Sequence, residues 1–224
     1  MPSPVTLLFL VAVFAIAQSD QAYRGTPVEL TTSMAIDVDG APNAYGPKGK
    51  PTLDFELNAH EGARLSGKVV GYITENGKPV LQGASDPYPG YYISTSGFVD
   101  QQNHNLNDPR RYVDASKINY VVLGRFAKQN HVALGDLVAV YSAKTKKSVY
   151  AIVGDSGNSS GGEGSLALLQ ALGYPFTSGK SGEVKSKEIT IRYFPGSNPK
   201  HSFYATQDAI DKQATGLGLD KKFH

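Results

Sequence analysis

The chain has no cysteine and no tryptophan, and only two methionines among its 224 residues. Absence of cysteine excludes a disulfide framework, a thiolate metal site and a cysteine nucleophile. Packing and hydrogen bonds alone must hold the fold. Absence of tryptophan leaves Tyr (13) and Phe (9) as the only aromatic platforms for a ligand. A strong charge of one sign is also missing. The formal net charge is +2, from 11 basic and 13 acidic residues over Gln18–Ala143 and 11 against 7 over Lys144–His224. The basic residues Lys144, Lys146, Lys147, Lys180, Lys185 and Lys187 are scattered through turns without interleaved aromatics. That is the pattern of a solvated surface, so no nucleic-acid partner is expected.

No apolar run reaches the roughly 20 residues of a membrane span. Val5–Ala17 is apolar apart from Thr6, Met1–Ala17 has no charged residue, and Ala15-Ile16-Ala17 offers a small-residue cleavage site. Residues 1–17 are therefore expected to be a secretory signal peptide, although no Lys or Arg precedes the apolar core. The mature chain would be extracellular and free of the membrane. Residues 18–33 read as a lead-in, and 34–224 as one domain with its own core.

Within that domain the patterned stretches are short. Met34–Gly40 places Ile36 and Val38 in alternation with Asp37 and Asp39, a strand with one polar face. Two like charges on one face require a cationic partner: a metal, an internal Lys or Arg, or a cationic ligand. The Asp-x-Asp-Gly order opens like an EF-hand loop, but Ala41, Pro42 and Tyr45 supply no side-chain carboxylate, and no acid stands at the twelfth position. Ala41–Ser66 is rich in Pro, Gly and Asn and reads as loop. Val69–Thr74 and Pro79–Gln82 flank Asn76-Gly77, a hairpin signal. Tyr91–Thr95, Tyr120–Leu123, Asp136–Tyr141, Ser148–Gly154 and Glu188–Phe194 read as strands, and Ala205–Leu217 as a terminal helix. Many short strands with few helices predict a mainly β (α+β) fold, a single-domain barrel with small helices attached.

The most informative stretch is Ser148–Gly173, SVYAIVGDSGNSSGGEGSLALLQALG. Its strand stops at Asp155, a glycine-serine turn follows, and Glu163 is expected in the first turn of a helix running to Leu172. Two carboxylates flanking a flexible turn can divide labour, one holding a proton while the other stays ionised, as glycoside hydrolysis requires. The alternative is structural: Asp155 caps a turn and Glu163 favours a helix N-terminus. At such a terminus the dipole lowers the pKa of Glu163, against the needs of a general acid, so burial or repulsion from Asp155 would have to outweigh it. Gly154-Asp155-Ser156-Gly157 also spells the GDSG of trypsin-like proteases, with His60, Asp100 and Ser156 in the matching order. The surroundings of His60 and the residue after Gly157 do not fit that family.

Taken together, Ile36-Asp37-Val38-Asp39-Gly40-Ala41-Pro42, Pro79–Gly83, Asp86–Thr95, Asp108–Asp114, Tyr120–Leu123, Gly135-Asp136, Val153–Gly157 and Gly162–Ser165 resemble, in order, the fungal-type chitosanases of glycoside hydrolase family 75. The absence of cysteine and the length of the glycine-serine loop depart from that pattern. The resemblance implies an enzyme that cleaves β-1,4 links in chitosan endo-wise and with inversion, with Glu163 as general acid and Asp155 as general base. It makes 34–224 a catalytic domain acting as a monomer on a polysaccharide partner, with no cofactor and no metal. Chitosan bears ammonium groups, so its subsites call for carboxylates and rings. Asp37, Asp39, Asp86, Tyr91, Tyr92 and Asp108 are the expected substrate-binding residues, and Arg110 and Arg111 should be neutralised by acids such as Asp114. An aspartate at a strand end beside a small helix suits the cleft of a six-stranded double-psi barrel. The alternative from another class is a secreted, expansin-like module that binds polysaccharide without cleaving it.

Overall fold

A computed structural model describes residues 22–59 and 71–223. The expected signal peptide, His60 and the first two residues of the arm 69–74 leading into the hairpin lie outside these residues. Six strands close into a barrel: β1 (Val28–Asp37), β4 (Tyr120–Leu123), β5 (Leu137–Ser142), β6 (Ser148–Ser156), β7 (Glu163–Ser165) and β8 (Glu183–Tyr193), in the circular order β1-β7-β4-β6-β5-β8. Asn76-Gly77 turns the separate hairpin of β2 (Thr74–Glu75) and β3 (Lys78–Pro79), both residues taking the positive φ that such a turn requires. Among the described residues the α-helices are α1 (Arg125–Gln129), α2 (Leu166–Ala171) and α3 (Gln207–Gly216). The mainly β barrel with small helices is the expected fold class.

Strand alternation sorts the barrel's side chains into two apolar clusters. Met34, Val121, Val138, Val140, Ala151, Val153, Ile189, Ile191 and Tyr193 share one face. Tyr120, Val122, Leu137, Ala139, Tyr150 and Ile152 share the other, packed with Ile210 and Ala214 of α3 and with the loops after β1. Because α3 and those loops cover the second set, it is the outer face. The barrel wall is therefore apolar on both sides, which is why its strands read as near-continuous hydrophobic runs.

Several boundaries differ from the sequence reading, each for a visible reason. β1 begins at Val28, inside the expected lead-in, because Val28–Thr32 pairs antiparallel with Ile189–Tyr193. β8 likewise starts at Glu183, as Val184 and Glu183 pair with Met34 and Ala35. Tyr91–Thr95 makes isolated bridges, Leu81 with Tyr92 and Tyr72 with Ser94, in place of a full strand. The largest correction concerns Glu163. It opens a three-residue strand, parallel to β1 with Ala35 opposite Glu163 and Asp37 opposite Ser165. The helix starts only at Leu166, capped by Ser165, whose hydroxyl accepts from the Leu168 N–H. Ser165 is fully buried, donates to the Ile118 carbonyl and accepts from the Tyr120 N–H, so it ties α2 to β4 as well.

Candidate functional site

Pairing register brings three segments distant in sequence to one place. β7 lies between β1 and β4, and β6 lies on the far side of β4. Gly164 pairs with both Ile36 and Val121, and Val122 pairs with Asp155. Ala35, Glu163, Val122 and Asp155 thus stand at nearly the same level across four strands. A β-bulge decides which way Asp155 points. Val121 pairs with Val153 but Val122 pairs with Asp155, so β6 carries one extra residue at Gly154. Simple alternation would send Asp155 to the side of Ala151 and Val153. The inserted residue turns it to the side of Val122 instead. Gly154 fits because a Cβ there would sit 2.6 Å from the Tyr120 Cβ and Cγ.

The outer face at this level opens into a cleft of about 910 Å³, whose lining includes Asp37, Asp39, Asp155 and Glu163. Carboxylate oxygens of Asp37, Asp39 and Asp155 lie within 4.8 Å of one another. Asp155 is 8 % exposed. Its Oδ1 accepts the backbone N–H of Gly97 at 2.7 Å and of Ser156 at 2.6 Å, and its Oδ2 accepts no hydrogen bond among the described residues. Asp39 accepts the Tyr45 hydroxyl at 2.7 Å, and its own N–H donates to Asp37 at 2.8 Å. Beneath them the Tyr120 hydroxyl donates to the Asp39 carbonyl at 2.9 Å.

This crowding raises every acid in the group. Burial, then Asp39 and Asp155, push Asp37 well above the ordinary carboxylate range. Burial and the Asp39 charge do the same to Asp155, against the two N–H donors that favour its ionised form. Asp39 is raised by burial to about 7, with the Tyr45 hydroxyl pulling it back. Burial raises Glu163, offset in part by a hydrogen bond from Asn158. Because Glu163 sits on a strand and not in the first turn of a helix, no helix dipole opposes that rise. Among the described residues none of these four acids has an ion-pair partner; the salt bridges belong to Asp86, Asp108, Asp114, Glu29 and Asp220. Lys185 also lines the cleft. Three carboxylates at this spacing are hard-oxygen donors of the kind Ca²⁺ or Mg²⁺ takes, so the trio could hold a cation.

Of the expected substrate-binding residues, the structure brings Asp37 and Asp39 to this cleft and leaves four outside its lining. Asp108 caps the 3₁₀ turn 109–111, accepting the Arg110 N–H. Burial pushes its carboxyl up, but hydrogen bonds from Arg110 and Asn103 hold it below the usual range. Asp86 accepts the Gly83 N–H and pairs with Arg110 at 3.2 Å. The Tyr91 hydroxyl donates to the Pro51 carbonyl, and the Tyr92 ring packs on Tyr72 at 4.9 Å. These four side chains hold loops together. The arginines find other partners than Asp114: Arg110 pairs with Asp86 and Asp108, Arg111 bonds the Asp100 and Asn103 carbonyls, and Asp114 pairs with Lys117.

The cleft also contains residues that the sequence reading did not select: Asp54, Leu57, Asn58 and Asn158. Asp54 and Asn58 sit in an irregular loop with no strand or helix period to mark a facing side, so only their spacing in Asp54–Asn58 hinted at a shared turn. Ser156, the serine of the GDSG string, lines the cleft beside Asp155.

The chain matches no protein-family model, and no curated protein is significantly similar to it. Among the described residues no helix is long and apolar enough to cross a membrane.

Proposed function

We propose that the protein is a secreted endo-acting glycoside hydrolase that cleaves β-1,4 links in chitosan with inversion, Glu163 serving as general acid and Asp155 as general base. The observation that carries this reading is the arrangement of Asp155 and Glu163 in one open cleft, with Asp37 and Asp39 beside them and, among the described residues, no ion-paired cation on any of the four. Such a groove attracts a polycation, and chitosan is a polysaccharide that carries one ammonium on most of its sugars. The ordered sequence resemblance to family 75 chitosanases supports the same substrate.

The chemistry follows from the two environments. Burial raises the Glu163 carboxyl and so favours its protonated form, whose proton is passed to the glycosidic oxygen as the C1–O bond breaks. Asp155 has Oδ1 fixed by two N–H groups, which leaves Oδ2 to orient a water and take its proton. That water attacks C1 from the face opposite the leaving group, so the anomeric configuration inverts. One proton shared among Asp37, Asp39 and Asp155 relieves most of their repulsion. Held on Asp37, which burial and the charges of both neighbours push well above the ordinary range, it leaves Asp155, the member with two backbone donors, as the anion.

Incubation with soluble chitosan, followed by reducing-end release and by NMR of the newborn anomer, tests the proposal. The wild type should release reducing ends of inverted configuration, and Glu163→Gln and Asp155→Asn should each lower the rate by at least about a thousandfold while staying folded. Binding with no release by the wild type would favour the non-cleaving, expansin-like module. Near-native activity in either variant would remove that residue from the mechanism.

A further inference from the structure

Asp54 is, with Glu183, an acid of the cleft lining that the reaction above does not use. It lies outside the Asp37–Asp39–Asp155 trio and on a different segment, in the loop after β1. It is 6 % exposed and lines the cleft. Its two oxygens have different surroundings. Oδ1 accepts the Phe55 N–H at 2.7 Å and the Asn58 side-chain amide at 2.9 Å, which locks the carboxyl at the start of the 3₁₀ turn Glu56–Ala59. Oδ2 accepts no hydrogen bond among the described residues. Gly179 leaves room for that oxygen: a Cβ at Gly179 would lie 2.9 Å from Oδ2. The Lys180 charge acts on Asp54 from a distance, but its ammonium donates to the Thr52 carbonyl and hydroxyl at 2.7 and 2.9 Å and forms no ion pair with Asp54. Capping the turn explains one oxygen only. A fixed, almost fully buried carboxylate in the lining of a cleft, its second oxygen beside Gly179 and without a donor among the described residues, is half of a charge-assisted hydrogen bond.

We propose that Asp54 is a specificity-determining residue whose free Oδ2 receives the 2-ammonium group of one glucosamine unit of the bound chain. This rests on the proposed function for the identity of the chain, but the recognised chemistry, a protonated primary amine on a sugar, follows from the site. Leu57, 72 % exposed and lining the same cleft, supplies the apolar surface on which the sugar's C–H face can rest. An N-acetylated unit at this position offers an amide donor without charge and brings an added methyl group and carbonyl oxygen. The site therefore selects the deacetylated sugar.

Asp54→Asn is the informative variant, because the amide oxygen can keep both Oδ1 bonds while the amide nitrogen replaces Oδ2 with a donor. On fully deacetylated chitosan it should raise KM about tenfold or more and leave kcat within about twofold. On chitosan rich in N-acetylglucosamine KM should change less than about twofold. Calorimetric titration of the glucosamine hexamer into Glu163→Gln and into the double variant with Asp54→Asn, at 20 and 200 mM NaCl, should show the same tenfold loss, largest at low salt. Equal KM changes on both substrates, or unaltered hexamer affinity, would overturn the proposal. If the wild type binds the hexamer but never cleaves chitosan, hydrolysis falls, and loss of binding in Asp54→Asn still supports the subsite. Should Asp54→Asn fail to fold, Gly179→Ala crowds Oδ2 and carries the same expectation: selective weakening for the deacetylated substrate supports the assignment, and none overturns it.

Discussion

The Tyr45 hydroxyl donates to the Asp39 carboxylate at 2.7 Å, and that bond sets the charge of the cleft near neutral pH. Burial alone would drive Asp39 higher than about 7; the hydroxyl favours its ionised form and holds it there. Tyr45→Phe removes the donor, so the Asp39 pKa should rise by a further ~0.5–1 unit. Affinity for a cationic glucosamine oligomer should then strengthen with pH along a curve displaced upward by the same amount. Titration calorimetry of the oligomer at pH 5 to 7.5 reads this; a curve unmoved or displaced downward would show that Tyr45 does not control Asp39.

The acid cluster should also make the fold less stable as pH rises. Asp39 binds its proton up to about pH 7 in the folded protein, against an ordinary 3.8. Between those values the native state holds more protons than the unfolded chain, so the Asp39 contribution makes the unfolding free energy fall with increasing pH across about 4 to 7. Asp37 and Asp155 are raised too and act in the same direction. Urea unfolding at pH 4.5, 6 and 7.5 should show the decline, and Asp39→Asn should flatten it. A rise in stability over this interval would contradict the shared-proton picture.

Asp155→Asn is expected to separate stability from activity. The amide keeps an acceptor for the Gly97 and Ser156 N–H groups but removes one buried charge from a crowded trio. At pH 7 the variant should gain about 1 kcal/mol of stability while losing hydrolysis, the usual trade where like charges are held together for function. Thermal unfolding beside the chitosan assay checks it; a large loss of stability would mean that Asp155 serves the fold.

Gly154→Ala tests the bulge. A methyl there meets Tyr120 Cβ and Cγ at 2.6 Å, and the Tyr120 ring carries the hydroxyl that bonds the Asp39 carbonyl. The substitution should cost about 1–3 kcal/mol and lower activity, because relief of the clash shifts either the bulge or the ring under the acids. Unchanged stability and rate would show that the bulge tolerates a side chain.

The proposed hydrolysis runs on proton transfer between carboxyls and water, so activity on chitosan should survive EDTA. Loss of activity that added Ca²⁺ or Mg²⁺ restores would make the Asp37–Asp39–Asp155 trio a metal site and replace the acid–base scheme.

Much of the fold was readable in the chain. Alternation in Met34–Asp37, the Asn76-Gly77 turn and the apolar runs of β4, β5 and β6 are local signals, and each strand forms where its own side chains favour it. The acids of the site were readable as residue types. A carboxylate at a strand end and two more in Asp37-Val38-Asp39 stand out against apolar neighbours. Which acids meet was not a local property. Alternation along β6 would give Asp155 the wrong face, and only pairing with β4 inserts the bulge that turns it toward Glu163. Glu163 itself looked helical, because its short run carries no strand period; a parallel partner in β1 makes it a strand. Asp86 and Asp108 have the same chemistry as Asp39 but sit where backbone N–H groups and Arg110 claim their oxygens. Asp54, in a loop without pattern, gains its place from the Gly179 turn more than a hundred residues away. The sequence by itself determined which segments become strands and which side chains can carry protons, because both are properties of neighbouring residues. Tertiary structure decided which protons compete for one cleft, because register, bulges and burial exist only once distant strands have paired.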